Sequence, residues 1–142
     1  MRLYYTAVFR IIEAVVGTDG QWWYRLQDGI TYSPGPYVLA VHIRRIDPSE
    51  LTPIASDVSN KRIEVNLKDQ TIAAYENDNP VFTLRVSSGY GVHRTPSGEH
   101  TVLRKCPASR MTGGKGADYY DLPGAPFPTC ITWSSVAIHG TY

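Results

Sequence analysis

Few side chains here have chemistry that runs near neutral pH. His139 follows the apolar run Val136-Ala137-Ile138 and precedes Gly140. An imidazole, with its ordinary pKa of about 6.5, can take a proton and return it, which suits a general base at a strand end. Cys106 and Cys130 are the only thiols, and a thiolate beside an imidazole is an activated nucleophile. If Ser134-Ser135 formed a two-residue hairpin loop, Cys130 would face His139 directly, with Cβ atoms about 4.5–5.5 Å apart. Ser-Ser is a poor choice for a turn that requires positive φ, and a slip of one residue points Cys130 to the other face. The commoner role for such a cysteine is that of a small buried strand residue. Cys106, beside Pro107, has the weaker claim of the two.

Other candidates carry less. His93 and His100 flank a Thr95-Pro96-Ser97-Gly98 turn and read as exposed loop residues, and no role is assigned to His42. Thr112-Gly113-Gly114-Lys115-Gly116 invites a phosphate-loop reading. It lacks the upstream Gly, and Lys115 is followed by Gly rather than Ser or Thr. It reads better as a flexible loop. Trp133, Tyr119, Tyr120 and Phe127 could wall a peptide cleft, although aromatic residues in a β domain are more often core; only Tyr120 is kept for that role. Two cysteines without metal-ligand spacing make neither a disulfide scaffold nor a metal site, so no cofactor or metal is expected.

The elements that must position these residues read as strands. Residues 7–16 are rich in β-branched types and 21–26 add Trp22, Trp23 and Tyr24, with Asp19-Gly20 between them as a hairpin signal. Asp28-Gly29 and Ser33-Pro34-Gly35-Pro36 mark further turns, and residues 37–46 read as another strand. Short strands with aromatic filling predict a small barrel-like module over 1–47. Residues 48–60, with two Pro and three Ser, read as a linker that holds one helical turn at 48–51 with Pro early in it. From Lys61, the apolar residues Ile63, Val65 and Leu67 alternate with polar ones, a half-buried strand. Lys68-Asp69-Gln70 turns the chain into 71–75. Asn77-Asp78-Asn79-Pro80 turns it again into 81–86, with Phe82, Leu84 and Val86 on one face. These make an antiparallel meander. Helical periodicity is nearly absent, so the fold class is mainly β.

Ser87-Ser88-Gly89, the Thr95-Pro96-Ser97-Gly98 turn leading into 99–104, and Val136-Ala137-Ile138-His139-Gly140 together resemble the L,D-transpeptidase catalytic domain over about residues 61–142. Arg110-Met111 and Tyr120-Asp121-Leu122-Pro123-Gly124 also resemble cleft-lining segments of some members. The amino-terminal part is similar to bacterial Src-homology-three-like modules and equally to a generic β module. The resemblance implies a monomeric acyltransferase that crosslinks peptidoglycan stem peptides through a cysteine acyl-enzyme, outside the membrane in the cell wall or periplasm. His139 and Gly140 would be catalytic, the imidazole taking the thiol proton and the Gly140 carbonyl orienting the ring. Arg110, Met111 and Tyr120 would bind substrate.

The family's nucleophile sits in a Ser-His-Gly-Cys motif beyond this His, and that motif does not occur in the 142 residues. The expectation is therefore an incomplete sheet domain, truncated before the catalytic cysteine and inactive as it stands. The alternative is a non-catalytic wall-binding protein with a degenerate cleft.

Composition bounds the classes. The chain is 42% hydrophobic and 19% charged, which is globular rather than disordered. A net charge of +1 gives no footprint for nucleic acid. No run approaches the roughly 18 apolar residues of a membrane span. Arg10 and Glu13 interrupt the apolar opening, so no signal peptide is read there.

Overall fold

Turn chemistry sets where each strand of this protein begins. The computed structural model describes residues 3–27 and 34–141, and these are mainly β. Strands β1 (Arg10–Val16), β2 (Trp22–Gln27) and β3 (Pro34–Leu39) form an antiparallel sheet in that order. Between β1 and β2 the Asp19 carboxylate accepts the Gln21 backbone N–H at 3.0 Å and the Trp23 indole N–H at 3.3 Å. Gly20 takes the left-handed φ of 74° that the Asp-Gly signal anticipates. Gly17 leaves the space for this arrangement: a Cβ there would lie 2.6 Å from both the Asp19 carboxylate and the Trp23 ring nitrogen.

The strand expected over 37–46 ends at Leu39 instead. Leu39 pairs with Trp23, one residue from the start of β2, so the partner strand runs out. The chain then makes a 3-10 turn over Ala40–His42. The sheet stays open, and no closed barrel forms among the described residues. The expected turn at Asp28-Gly29, and Ser33 of the next one, lie outside the described residues.

Contacts divide the chain into two units, one of residues 1–45 with 99–142 and the other of 46–98. The segment read as a linker thus falls within the second unit. It holds the anticipated helical turn, Pro48–Leu51, with a capping box: Asp47 accepts from Ser49 N–H, and Glu50 accepts from Asp47 N–H. Strands β4 (Lys61–Asn66), β5 (Thr71–Glu76) and β6 (Asn79–Arg85) then form the expected meander. Its register puts Ile63, Val65, Ile72, Ala74, Phe82 and Leu84 on one face. Arg62 lies on the other, 4.1 Å over the Tyr75 ring and 2.8 Å from Glu64.

The turns of the meander are specified by amides. Asn66 accepts from the N–H groups of Lys68 and Asp69, both at 3.0 Å. Asn77 and Asp78 take φ of 47° and 68°, the pair of left-handed residues that a two-residue hairpin needs. Gln70 donates to the Ser88 hydroxyl and accepts the Ser88 N–H at 2.8 Å, tying the first turn to the end of β6.

The remaining strands belong to the first unit. They are β7 (Arg104–Lys105), β8 (Ala108–Gly113), β9 (Tyr120–Pro126), β10 (Thr129–Cys130) and β11 (Ala137–Ile138). The strand expected over 99–104 is reduced to β7, although Leu103 N–H still reaches the Cys130 carbonyl at 2.9 Å. β8 and β9 form a hairpin, and β11, β10 and β7 form a sheet in that order. Val8 N–H donates to the Gly124 carbonyl at 2.9 Å and the Phe9 ring closes over Gly124, joining the amino-terminal chain to β9. Leu26, Ala125 and Pro128 are buried here.

With Leu26 only 1% exposed, its methyl groups carry much of the apolar burial in this unit. Leu26→Ala is expected to cost about 2–5 kcal/mol, while Leu51→Ala, at an exposed site, stays within about 0.5 kcal/mol. Urea titration checks this. A loss for Leu26→Ala below about 1 kcal/mol would mean that another part of the chain carries the core.

Candidate functional site

The β10–β11 hairpin places His139. Ile131 N–H donates to the Val136 carbonyl at 2.9 Å, closing a four-residue loop over 132–135. Thr132 organises this loop, its hydroxyl accepting the Val136 N–H at 3.0 Å and lying 3.0 Å from the Ser134 hydroxyl. Ser135 takes φ of 71°. The two-residue Ser-Ser loop therefore does not form. The register pairs Cys130 with Ala137 and Thr129 with Ile138, so Cys130 does not face His139 directly. The reason is local: a loop two residues longer moves every pair below it.

His139 is exposed just past β11. Its Nδ1 lies 2.7 Å from the carbonyl oxygen of Gly140. A carbonyl can only accept, so Nδ1 carries a proton, and in the neutral ring that leaves the lone pair on Nε2. Gly140 is itself anchored, its N–H donating to the Pro126 carbonyl at the end of β9 at 3.0 Å. A Cβ on Gly140 would meet the Pro126 ring at 2.8 Å, so glycine permits this close approach.

Arg110, Met111 and Tyr120 lie on the β8–β9 hairpin. The pairings Met111 with Leu122 and Gly113 with Tyr120 put Met111 and Tyr120 on one face. Tyr120 is exposed and covers Gly113, where a Cβ would fall 2.7 Å from its ring. Arg110 sits opposite the Pro123-Gly124 bulge on the other face. It grips Asp121 with two nitrogens, Nε to Oδ1 at 2.7 Å and Nη2 to Oδ2. The structure therefore joins Met111 with Tyr120 and separates Arg110 from both. Asp121 is the partner that sequence reasoning missed. The signal available was an acid and a base placed to meet across a two-stranded hairpin.

Two more residues gain roles unseen in the sequence. Arg104 pairs with Cys130 across β7 and β10, its guanidinium 3.9 Å from the sulfur. In the second unit, the Thr95 hydroxyl accepts the Gly89 N–H at 2.9 Å, so the Thr-Pro-x-Gly turn also clamps the loop before it. His42, His93 and His100 are exposed. The Thr112–Gly116 stretch runs into the β8–β9 connection, with Gly114 and Gly116 at positive φ. Among the described residues no group of three or more His, Cys, Asp or Glu is arranged to hold a metal ion. No helix there is long and apolar enough to cross a membrane.

The hydrogen bonds from Arg110 hold the Asp121 carboxyl below its ordinary value, and burial only partly opposes them. A carboxyl depressed in the folded state stabilises that state above its unfolded pKa. The contribution fades as pH falls through the lower folded value. Thermal melts of the wild-type chain and Asp121→Asn should therefore differ most near neutrality and converge below about pH 4. A gap undiminished at about pH 2 would assign the effect to packing rather than to the ion pair.

Residues 60–142 match the model of the YkuD family, the L,D-transpeptidase catalytic domain. No curated protein and no solved structure matches the chain. The matched stretch contains the β4–β6 meander, the Thr95–Gly98 turn and the His139-Gly140 end. It covers more than half of the 142 residues, and the chain belongs to the L,D-transpeptidase family.

Proposed function

We propose that the chain acts on peptidoglycan stem peptides as a monomeric L,D-transpeptidase in the cell wall or periplasm, with His139 as the proton acceptor and Gly140 as the residue that orients it. One observation carries the reading: Nδ1 of His139 is held 2.7 Å from the Gly140 carbonyl, so that the neutral form of this exposed ring has its lone pair on Nε2. That tautomer can take a thiol proton. The thiolate then attacks the amide carbonyl between the diamino acid's L-centre and D-Ala. D-Ala leaves with the returned proton, and a thioester remains. An acceptor amine displaces the thiol and closes the crosslink. Backbone N–H groups aimed at the oxyanion lower the barrier to both attacks.

Residues 1–142 contain no Ser-His-Gly-Cys, so this reading takes its nucleophile from residues outside them. Met111 and Tyr120 form a wall for the stem peptide, and Arg110 steadies that wall from the opposite face through Asp121. The proposed organisation is a Src-homology-three-like module at 1–47, a connector at 48–60 and the family domain from 61. A second reading, a non-catalytic wall binder with a degenerate cleft, is favoured by the register that pairs Cys130 with Ala137.

The coding DNA read past Tyr142 separates the two readings first. A chain extended through a Ser-His-Gly-Cys segment should make crosslinked dimers from stem peptides. His139→Gln should reduce kcat by about 10²–10⁴-fold with little change in KM. Full turnover in His139→Gln would sink the catalytic reading. Co-sedimentation with insoluble peptidoglycan, without turnover in the full encoded chain, would establish the second.

A further inference from the structure

The β1–β2–β3 sheet carries a shallow, open cleft that the His139 chemistry does not use. Its volume is about 340 Å³, and Val15, Gly17, Thr18, Asp19, Trp23 and Tyr37 line it. The register explains the grouping. Val15 faces Trp23 directly, and Tyr37 faces Arg25, two residues further along β2. Trp23 and Tyr37 thus lie on one sheet face as diagonal neighbours, within reach of each other for large rings. The turn then folds Asp19 onto the same side, through its bond to the Trp23 indole.

Each wall is held in place. The Tyr37 hydroxyl donates to Glu13 at 2.8 Å, and the Arg25 guanidinium lies 5.3 Å from the ring centre. Tyr37 as a whole is 43% exposed. Asp19 accepts from the Gln21 N–H and the indole on one oxygen, and from the Gln21 amide at 3.2 Å on the other. Those bonds hold its carboxyl below the ordinary value, the Gln21 N–H contributing most. The residue is exposed, so its negative charge also faces the solvent side of the cleft. The turn explains why Asp19 is at this position. It does not explain why an exposed Tyr37 and the half-buried Trp23 and Val15 are gathered beside the charge.

A fixed negative charge with π faces and an apolar floor is the environment that recognises an ammonium on an alkyl stem. The rings and Val15 cover the methylenes while the carboxylate meets the charge. The Arg25 guanidinium on this face is matched by Glu13 at 3.4 Å, so the net charge at the cleft is that of Asp19. An anion would be repelled, and a neutral alkyl chain would leave the carboxylate unmatched. We propose that this cleft binds a primary ammonium carried on an alkyl chain, the end of a lysine-type side chain in a peptide, with Asp19 as counter-ion and the Trp23 and Tyr37 rings as walls. The proposal does not rest on His139, and its failure would leave the catalytic reading untouched.

The test compares two probes on the whole chain, Nα-acetyl-lysine amide and Nα-acetyl-norleucine amide, whose side chain is that of lysine without the terminal ammonium. The Trp23 indole N–H resonance reports binding. The lysine probe should shift it saturably in the millimolar range, a weak affinity of about −4 kcal/mol. The norleucine probe should bind at least about fivefold more weakly, and added salt should weaken only the lysine probe. Asp19→Asn should cost about fivefold or more for lysine alone, and Tyr37→Leu should weaken both probes. Equal binding of the two probes to the wild-type chain, or no saturable shift, overturns the proposal. That comparison requires no variant, so it stands even if Asp19→Asn disturbs the turn.

Discussion

A strand in a sheet two or three strands wide has few neighbours to correct it, so the bonds in its turns must set its register. That constraint governs this chain. Asp19, Asn66, Gln70 and Thr132 each direct a side-chain oxygen or amide to backbone groups of their own turn. Each such bond contributes only about 1 kcal/mol net, yet a slip of one residue would turn a whole strand to its other face. Small energies therefore decide large rearrangements here. The positive φ values of Gly20, Asn77, Asp78 and Ser135 fall at the turns, where local hydrogen bonding offsets the backbone cost.

The candidate catalytic end depends on the same logic. His139 is oriented by the residue beside it, and that residue is anchored to Pro126 on another strand. The path from β9 through Gly140 to the imidazole is short and made of backbone, which is stiffer than a chain of side-chain contacts. The Thr132 loop, in contrast, moves Cys130 away from a direct pairing with His139.

The two units differ in how they use apolar residues. In the first, Leu26, Ala125 and Pro128 are buried and the amino-terminal chain closes over Gly124. In the second, the meander gathers six apolar residues on one face, but only Ile72 is buried. Its polar face is tied together through Arg62, which meets Tyr75, Glu64 and Asp78. These are exposed ion pairs, worth little in stability, so their main effect is on alignment.

By itself the sequence determined the β class, the meander from Lys61, the helical turn at Pro48–Leu51 and the family. Each of these rests on information local in the chain: alternation of period two, Asp-Gly and Asn-Asp turn chemistry, an early Pro, a short motif. Only the tertiary structure decided the end of β3 at Leu39, the open sheet where a barrel was expected, and the register of β10 against β11. Strand ends depend on where a partner runs out, and closure depends on strands distant in sequence. The separation of Arg110 from Met111 and Tyr120 was hidden for a related reason. One bulge at Pro123-Gly124 changes which residues share a face, and no periodicity in the sequence records it.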